Sequence, residues 1–295
     1  MSWRIGIDLG GTKMEVAAID PGGVPRLRRR RPTPPDYAAT VARIGEMVDA
    51  AEAEIGAPGA PLASIGIGIP GSENPVTGLI RGANSTFLNG RPLGADLGAR
   101  LGRPVRLSND ANCLALSELH DLPGVGFAVI LGTGVGGGVV AGGRLVEGRN
   151  RVAGEWGHNP LPWMTAAEFP GPPCWCGQRG CIETFLCGPA LAADADGTGA
   201  RDASGLPARA AAGDRVAQAA LDRHADRLAR ALAALVNLLD PDVIVLGGGL
   251  SNMAHLYEAL PRLIPRHVFS DTCTTRVIPA RQGDSSGVLG AARLW

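Results

Sequence analysis

His158, Cys174, Cys176 and Cys181 bring one imidazole and three thiols into a short stretch of a 295-residue chain. This is a soft donor set suited to tetrahedral Zn²⁺. Gly177 and Gly180 inside the cysteine loop supply the permissive backbone that a tight metal knuckle needs. Two carboxylates flank the set, Glu155 ahead of His158 and Glu183 after Cys181. The competing reading is three unrelated buried thiols and a surface histidine. A second group is acidic. Asp110, in Asn109-Asp110-Ala111-Asn112, is a candidate base for an acceptor hydroxyl, with the two asparagines able to hold an alcohol. As an alternative, Asp110 caps a helix. Asp8, closing the first strand, can hold Mg²⁺ through water or simply cap a turn.

A third group consists of glycine turns: Gly10-Gly11-Thr12-Lys13, residues 132–138 (Gly132, Thr133, Gly134, Gly136 and Gly137 among them), and Gly247-Gly248-Gly249. Backbone N–H groups in such turns bind phosphate oxygens, and three turns imply a nucleotide with several phosphates. The middle turn matches G-x-G-x-x-G, but Val139-Val140-Ala141 continues as a strand where a dinucleotide fold needs a helix. That excludes a dehydrogenase reading. The P-loop pattern is absent.

The elements that must carry these residues follow from periodicity. Trp3 to Asp8 and Met14 to Ile19 read as a hairpin, Ser64 to Ile69 as a strand ending at Pro70-Gly71, and Pro104 to Leu107 as a strand feeding Asp110. Val41, Ile44, Val48, Ala51 and Ile55 fall at helical spacing. Phe127 to Leu131 with Val139 to Ala141 repeats the first hairpin, one copy per domain. A long helix over Val216 to Leu239 stops at Asp240-Pro241. Val243 to Leu246 is a strand, a helix begins at Ser251, and Ser286 to Leu294 is terminal helix. Residues 190–212 show no readable period.

A net charge of zero gives no reason to expect a nucleic-acid or membrane partner. The Arg26 to Arg31 run reads as a solvated edge strand or loop. The uncharged window Gly124 to Gly143 reads as two buried strands rather than a membrane span. Without an export signal, the six cysteines point to a reducing, cytoplasmic setting.

Taken together, Asp8-Leu9-Gly10-Gly11-Thr12-Lys13-x-Glu15, Asn109-Asp110-Ala111-Asn112, Gly132-Thr133-Gly134, Gly154-Glu155-x-Gly157-His158, the Cys-x-Cys-Gly-x-x-Gly-Cys-x-Glu block and Asp240-Pro241-Asp242 resemble the ROK family of sugar kinases nearly end to end. The resemblance implies an α/β, two-domain actin-like ATPase (ribonuclease H-like) fold with a central cleft. The small domain would span 1–119 plus 284–295 and the large one 120–283. It further implies that Asp110 is the catalytic base, that Gly71, Asn84, Asn109, Glu155, His158 and Glu183 bind the sugar, and that the turns hold ATP with Mg²⁺. The zinc would be structural, in agreement with four protein ligands that leave no open coordination position. A homodimer and domain closure over the sugar are also implied.

Within the family, Ala83-Asn84-Ser85-Thr86, the run Gly154 to Trp163 and Gly283-Asp284-Ser285-Ser286-Gly287 are most similar to bacterial fructokinases, which convert D-fructose to fructose 6-phosphate. An N-acetylglucosamine, mannose or glucose kinase of the same mechanism is the nearer alternative. A sugar-responsive repressor is the distant one, since it should carry a helix-turn-helix ahead of a first strand that already starts near residue 3.

Overall fold

Two strands joined by the turn at residues 10–12 open the structure, a computed structural model that describes residues 2–56, 62–283 and 286–295. β1 (Arg4–Leu9) and β2 (Lys13–Ile19) pair antiparallel, with Asp8 opposite Glu15. β3 (Pro25–Pro32) extends the hairpin at the sheet edge. Four of its five arginines are ion-paired: Arg26 with Asp20 (2.7 Å), Arg29 with Glu54 (3.0 Å), and both Arg28 and Arg30 with the buried Glu15. The basic run is therefore an ion-paired edge strand.

Helix α1 (Tyr37–Ile55) follows, its N-terminus capped by the Asp36 carboxylate accepting from Ala39 N at 2.9 Å. β4 (Ser64–Ile69) lies parallel to β1. A small ribbon, β5 (Ser72–Glu73) with β6 (Ile80–Arg81), and helix α2 (Leu93–Leu101) lead to β7 (Val105–Asn109), parallel to β4. The sheet order is β3-β2-β1-β4-β7. Ile5, Ile7, Ile65 and Ile67 alternate inward against Ile44 and Val48 of α1. Helix α3 (Asp110–Leu119) closes this stretch.

β8 (Val125–Leu131) and β9 (Val135–Ala141) then form a second antiparallel hairpin, and the two-residue β10 (Arg144–Leu145) follows. The uncharged window is thus a pair of strands, and no helix among the described residues is long and apolar enough to cross a membrane. β9 starts at Val135, four residues earlier than the sequence reading places it, because glycines at 136–138 pair with β8 in spite of their low strand propensity. Residues 190–212 fold largely as helices α5 (Gly188–Asp196) and α6 (Leu206–Ala211), each with a proline in its first turn, after the one-turn α4 (Glu183–Leu186). These helices are too short to show a clear apolar stripe. Helix α7 (Arg215–Leu239) ends at Asp240, which adopts a left-handed conformation (φ 43°) before Pro241. β11 (Val243–Gly247) runs parallel to β8, and β12 (Arg276–Pro279) parallel to β11. Between them the chain from Gly249 makes a 3-10 turn, and helix α8 begins at His255 (His255–Leu263). The order β9-β8-β11-β12 repeats β2-β1-β4-β7, which is the internal echo seen in the sequence.

The chain forms two compact units. The first comprises residues through Asp121, Gly143–Ala153 and Gln282–Trp295, and the second comprises Leu122–Gly142 and Gly154–Arg281. The division drawn from sequence has no counterpart to the Gly143–Ala153 excursion. Helix α9 (Ser286–Ala292) belongs to the first unit, where Val288, Leu289 and Ala292 pack with Ala17 and Ile19 of β2. Asp284 and Ser285 of the terminal motif lie outside the described residues.

Candidate active site and metal centre

Three adjacent parallel strands of the first unit, β1, β4 and β7, end at the same sheet edge. Asp8 is the penultimate residue of β1, Gly71 lies just beyond β4, and Asn109 and Asp110 sit at the β7–α3 junction. Carboxyl strand ends are where open α/β sheets bind ligands. The turn after β1 is closed by Gly10 N donating to Lys13 O (3.1 Å) and pinned by the Thr33 hydroxyl donating to Gly10 O (2.7 Å). The Ala83-Asn84 turn is braced by a residue that sequence reasoning did not single out. Asn89 accepts from Ala83 N (2.9 Å) and donates to Ala83 O (3.0 Å), leaving Asn84 exposed.

The helix cap is Asn109, whose Oδ1 accepts from Asn112 N at 2.8 Å. Asp110 is therefore not the cap. Its Oδ1 accepts from the adjoining Ala111 N (2.8 Å), and its own backbone N–H also bonds the carboxyl. Asn112 is buried and donates to Ser108 Oγ (3.1 Å), so of the two asparagines only Asn109 retains a side-chain amide for a ligand. Asp110 keeps accessible surface as a residue, yet protein packs closely around its carboxyl, and this desolvation raises its pKa. Burial raises Asp8 to about 6, helped by the charges of Asp110 and Glu15 and opposed by Lys13 and Arg30. Two carboxylates that resist ionising together suit a divalent cation, and Asp8 is the residue here that would hold Mg²⁺.

In the second unit, β8 and β11 are parallel neighbours, so the turns Gly132–Gly134 and Gly247–Gly249 lie side by side at their carboxyl ends. Gly132 N donates to Gly134 O (3.0 Å), which closes the first turn. Gly136 and Gly137 lie within β9: Gly136 O accepts from the Trp156 indole N–H (2.9 Å), and Gly137 packs against Phe127 and Trp156. What remains for an anion is the shorter turn at 132–134.

The Gly-Glu-Trp-Gly-His motif packs along β9. Side chains at Gly154 and Gly157 would collide with the backbone of Gly137 and Val135, so only glycine lets this segment approach the strand. Trp156 is buried between them, edge-on to Phe127 (centroids 5.9 Å apart), which leaves Glu155 exposed and His158 half-buried.

His158 Nδ1 is 3.5 Å from Cys174 Sγ, and Cys176 Sγ is 3.6 Å from Cys181 Sγ. All four donor atoms lie within 4.8 Å of one another. Ligands on a tetrahedron around Zn²⁺ stand roughly 3.5–3.8 Å apart, so the donors fit that ion. Burial pushes the Cys181 thiol up to about 12 and raises that of Cys174, a cost that a bound cation would offset. Gly177 (φ 91°) and Gly180 (φ 70°) make the expected left-handed turns. The short connection from His158 to Cys174 is held by α7. Buried Arg230 donates to Pro162 O (3.1 Å), Trp163 O (2.9 Å) and Glu168 (2.8 Å), and Arg227 donates to the same Glu168 (2.8 Å). The two arginines hold Glu168 at about 2, against the opposing effect of its burial.

Glu183 is the first residue of α4, two positions beyond Cys181. Its Oε2 accepts from Val135 N (2.9 Å) and its Oε1 from the Trp175 indole N–H (2.7 Å). Neither partner was visible as functional in the sequence. The only signal was a tryptophan between two of the candidate metal-ligand cysteines.

The model of the ROK family matches residues 4–295. The chain belongs to the ROK family. Its two repeated sheets are those of the actin-like ATPase fold. An N-acetyl-D-glucosamine kinase of Escherichia coli is 40% identical over 301 residues, covering 98% of each chain. Among solved structures, a ROK hexokinase from Thermus thermophilus is 33% identical with a TM-score of 0.86, covering 98% of this chain and 96% of that one. A ROK family glucokinase from Streptomyces griseus, in complex with glucose and AMPPNP, is 28% identical with a TM-score of 0.75, covering 99% and 98%. The E. coli relative carries a different acceptor in its name from the fructose suggested by the motif fillings.

Proposed function

We propose that this protein is an ATP-dependent hexose kinase with N-acetyl-D-glucosamine as its preferred acceptor. The observation that carries the reading is Asp110 at the β7–α3 junction, relieved of capping by Asn109 and close enough to Asp8, two strands away in the same sheet, for their charges to interact. In-line phosphoryl transfer needs a carboxylate to accept the hydroxyl proton and charge to balance the phosphates, and little else from the protein. Asp110, with its pKa raised by desolvation, accepts that proton from the sugar hydroxyl. Gly71, Asn84, Asn109, Glu155, His158 and Glu183 are the residues we assign to the sugar. The turns at 10–13, 132–134 and 247–249 hold the nucleotide phosphates. Mg²⁺ bound at Asp8 supplies electrostatic neutralisation of those phosphates. The zinc set holds His158 and Glu183 in place and takes no part in the transfer. The homodimer expected from sequence belongs to the same reading.

The name of a relative 40% identical over 98% of this chain favours N-acetyl-D-glucosamine. The motif fillings favour fructose, and we rank them second because they cover only short segments. An ADP-release assay across N-acetylglucosamine, fructose, mannose and glucose tests the reading, with kcat/KM expected highest for N-acetylglucosamine. Asp110→Asn should lower kcat by at least about 10²-fold while sugar still binds. A top rank for fructose would reverse the acceptor assignment, and near-normal turnover in the Asn variant would remove Asp110 as base.

A further inference from the structure

Trp175 is 74% exposed, yet its indole is held at two points. Its N–H donates to Glu183 Oε1 at 2.7 Å, and its ring stands edge-on to His158 with centroids 4.8 Å apart and planes at 89°. The residue sits between two zinc-binding cysteines, so the knuckle fixes its backbone. The other carboxylate oxygen of Glu183 is held from a different element, by the N–H of Val135, the residue that follows the Gly132–Gly134 turn. Gly134 permits this approach, since a Cβ there would stand 2.7 Å from Glu183 Oε2.

A carboxylate offers about four acceptor positions, and these two donors take one on each oxygen. Two remain for ligand hydroxyls, at directions fixed by the donors already in place. Indole N–H and backbone N–H are donors only, so neither contact can invert. We propose that Trp175 is a positioning residue that orients Glu183, and that Glu183 thereby couples acceptor binding to the Gly132–Gly134 turn.

The proposal rests on the hexose-kinase reading, in which Glu183 holds the sugar and the turn holds phosphate. A nucleotide that orders the turn orders the Val135 N–H and hence Glu183. By linkage, each ligand then tightens the other by the same factor.

Calorimetric titration of N-acetylglucosamine, with and without Mg-AMPPNP, tests this in the wild type, Trp175→Phe and Gly134→Ala. In the wild type, AMPPNP should tighten sugar binding several-fold. Trp175→Phe keeps a ring against His158 but loses the N–H. It should weaken sugar binding about tenfold, the size of one hydrogen bond to a charged group, and remove most of the tightening. Gly134→Ala should do the same from the other oxygen. Zinc content should stay stoichiometric in both variants, and Trp175→Phe should add nothing in a Glu183→Gln background. Wild-type sugar affinity and undiminished tightening in Trp175→Phe would overturn the positioning role. Absence of tightening in the wild type would overturn the coupling. A wild-type protein that turns over hexose normally confines either failure to this proposal, whereas one that neither binds nor phosphorylates any hexose takes the kinase reading down with it.

Discussion

Asp8 shows how a single residue can trade stability for chemistry. Its pKa of about 6 means that the folded protein keeps a proton that the unfolded chain has released above about pH 4. The folded state therefore binds more protons than the unfolded state across that window, and stability falls as pH rises through it. The effect comes from burial and from the neighbouring Asp110, the features that also favour a divalent cation. Asp8→Asn should flatten the dependence of Tm between pH 4 and 7, and at pH 8 without Mg²⁺ it should melt a few degrees above the wild type. Mg²⁺ should raise the Tm of the wild type more than that of the variant, and turnover of the variant should collapse. Melting curves at two pH values check this. An Asn variant no more stable than wild type at pH 8 would show that the carboxylate is not under electrostatic strain.

The element that matters most is the loop carrying the zinc set. It contains little regular secondary structure and is held by β9 beneath it and by α7 through Arg230 and Glu168, and it gathers the four donors that would bind zinc. Structural zinc contributes directly to folding free energy. Because His158 and Trp175 both belong to this loop, loss of one ligand should be felt in binding as well as stability. Cys176→Ser is the mildest choice, since Cys176 is exposed and its removal leaves no core cavity. We expect zinc stoichiometry to fall well below one, Tm to drop and sugar KM to rise, with a smaller change in kcat. Elemental analysis, melting and steady-state kinetics give the three readings. Full zinc retention with unchanged Tm would mean that Cys176 is not a ligand.

At the scale of the whole chain, the first unit is closed by a segment from the far end of the sequence. Helix α9 lies so close to β1, β4 and α3 that side chains at Gly6, Gly66 and Gly290 would run into backbone atoms of Val288, Ala291 and Cys113 respectively. In an interior packed at crystal-like density, an added methyl group without space to occupy costs about 1–3 kcal/mol, or more against rigid backbone. Gly290→Ala should therefore lower the urea midpoint of the protein markedly, while the zinc content expected at the donor set of the second unit stays unchanged. A variant with an unchanged midpoint would show that α9 is less tightly seated than its glycines imply.

Much of this was readable from residue types and local spacing. The Cys-x-Cys and Gly-x-x-Gly-Cys pattern made the candidate metal donor set visible because donors close in sequence meet through a tight turn. The repeated hairpin was visible because period-2 apolar strands flank both glycine turns, and the fold followed from the family resemblance of the motifs. Aspartates at strand ends were visible for the same reason. What the sequence left open were pairings between distant segments and the sharing of a few polar atoms among neighbours. Asn109 rather than Asp110 is the helix cap. Gly136 and Gly137 face tryptophan and phenylalanine rather than an anion, and Asn112 is buried. The two oxygens of Glu183 are held by Trp175 and Val135, one close in sequence and one 48 positions away. Local chemistry and periodicity set which residues could act. Tertiary packing alone decided which of their atoms remain available, because a hydrogen bond satisfied across the fold leaves no trace in the spacing of either partner.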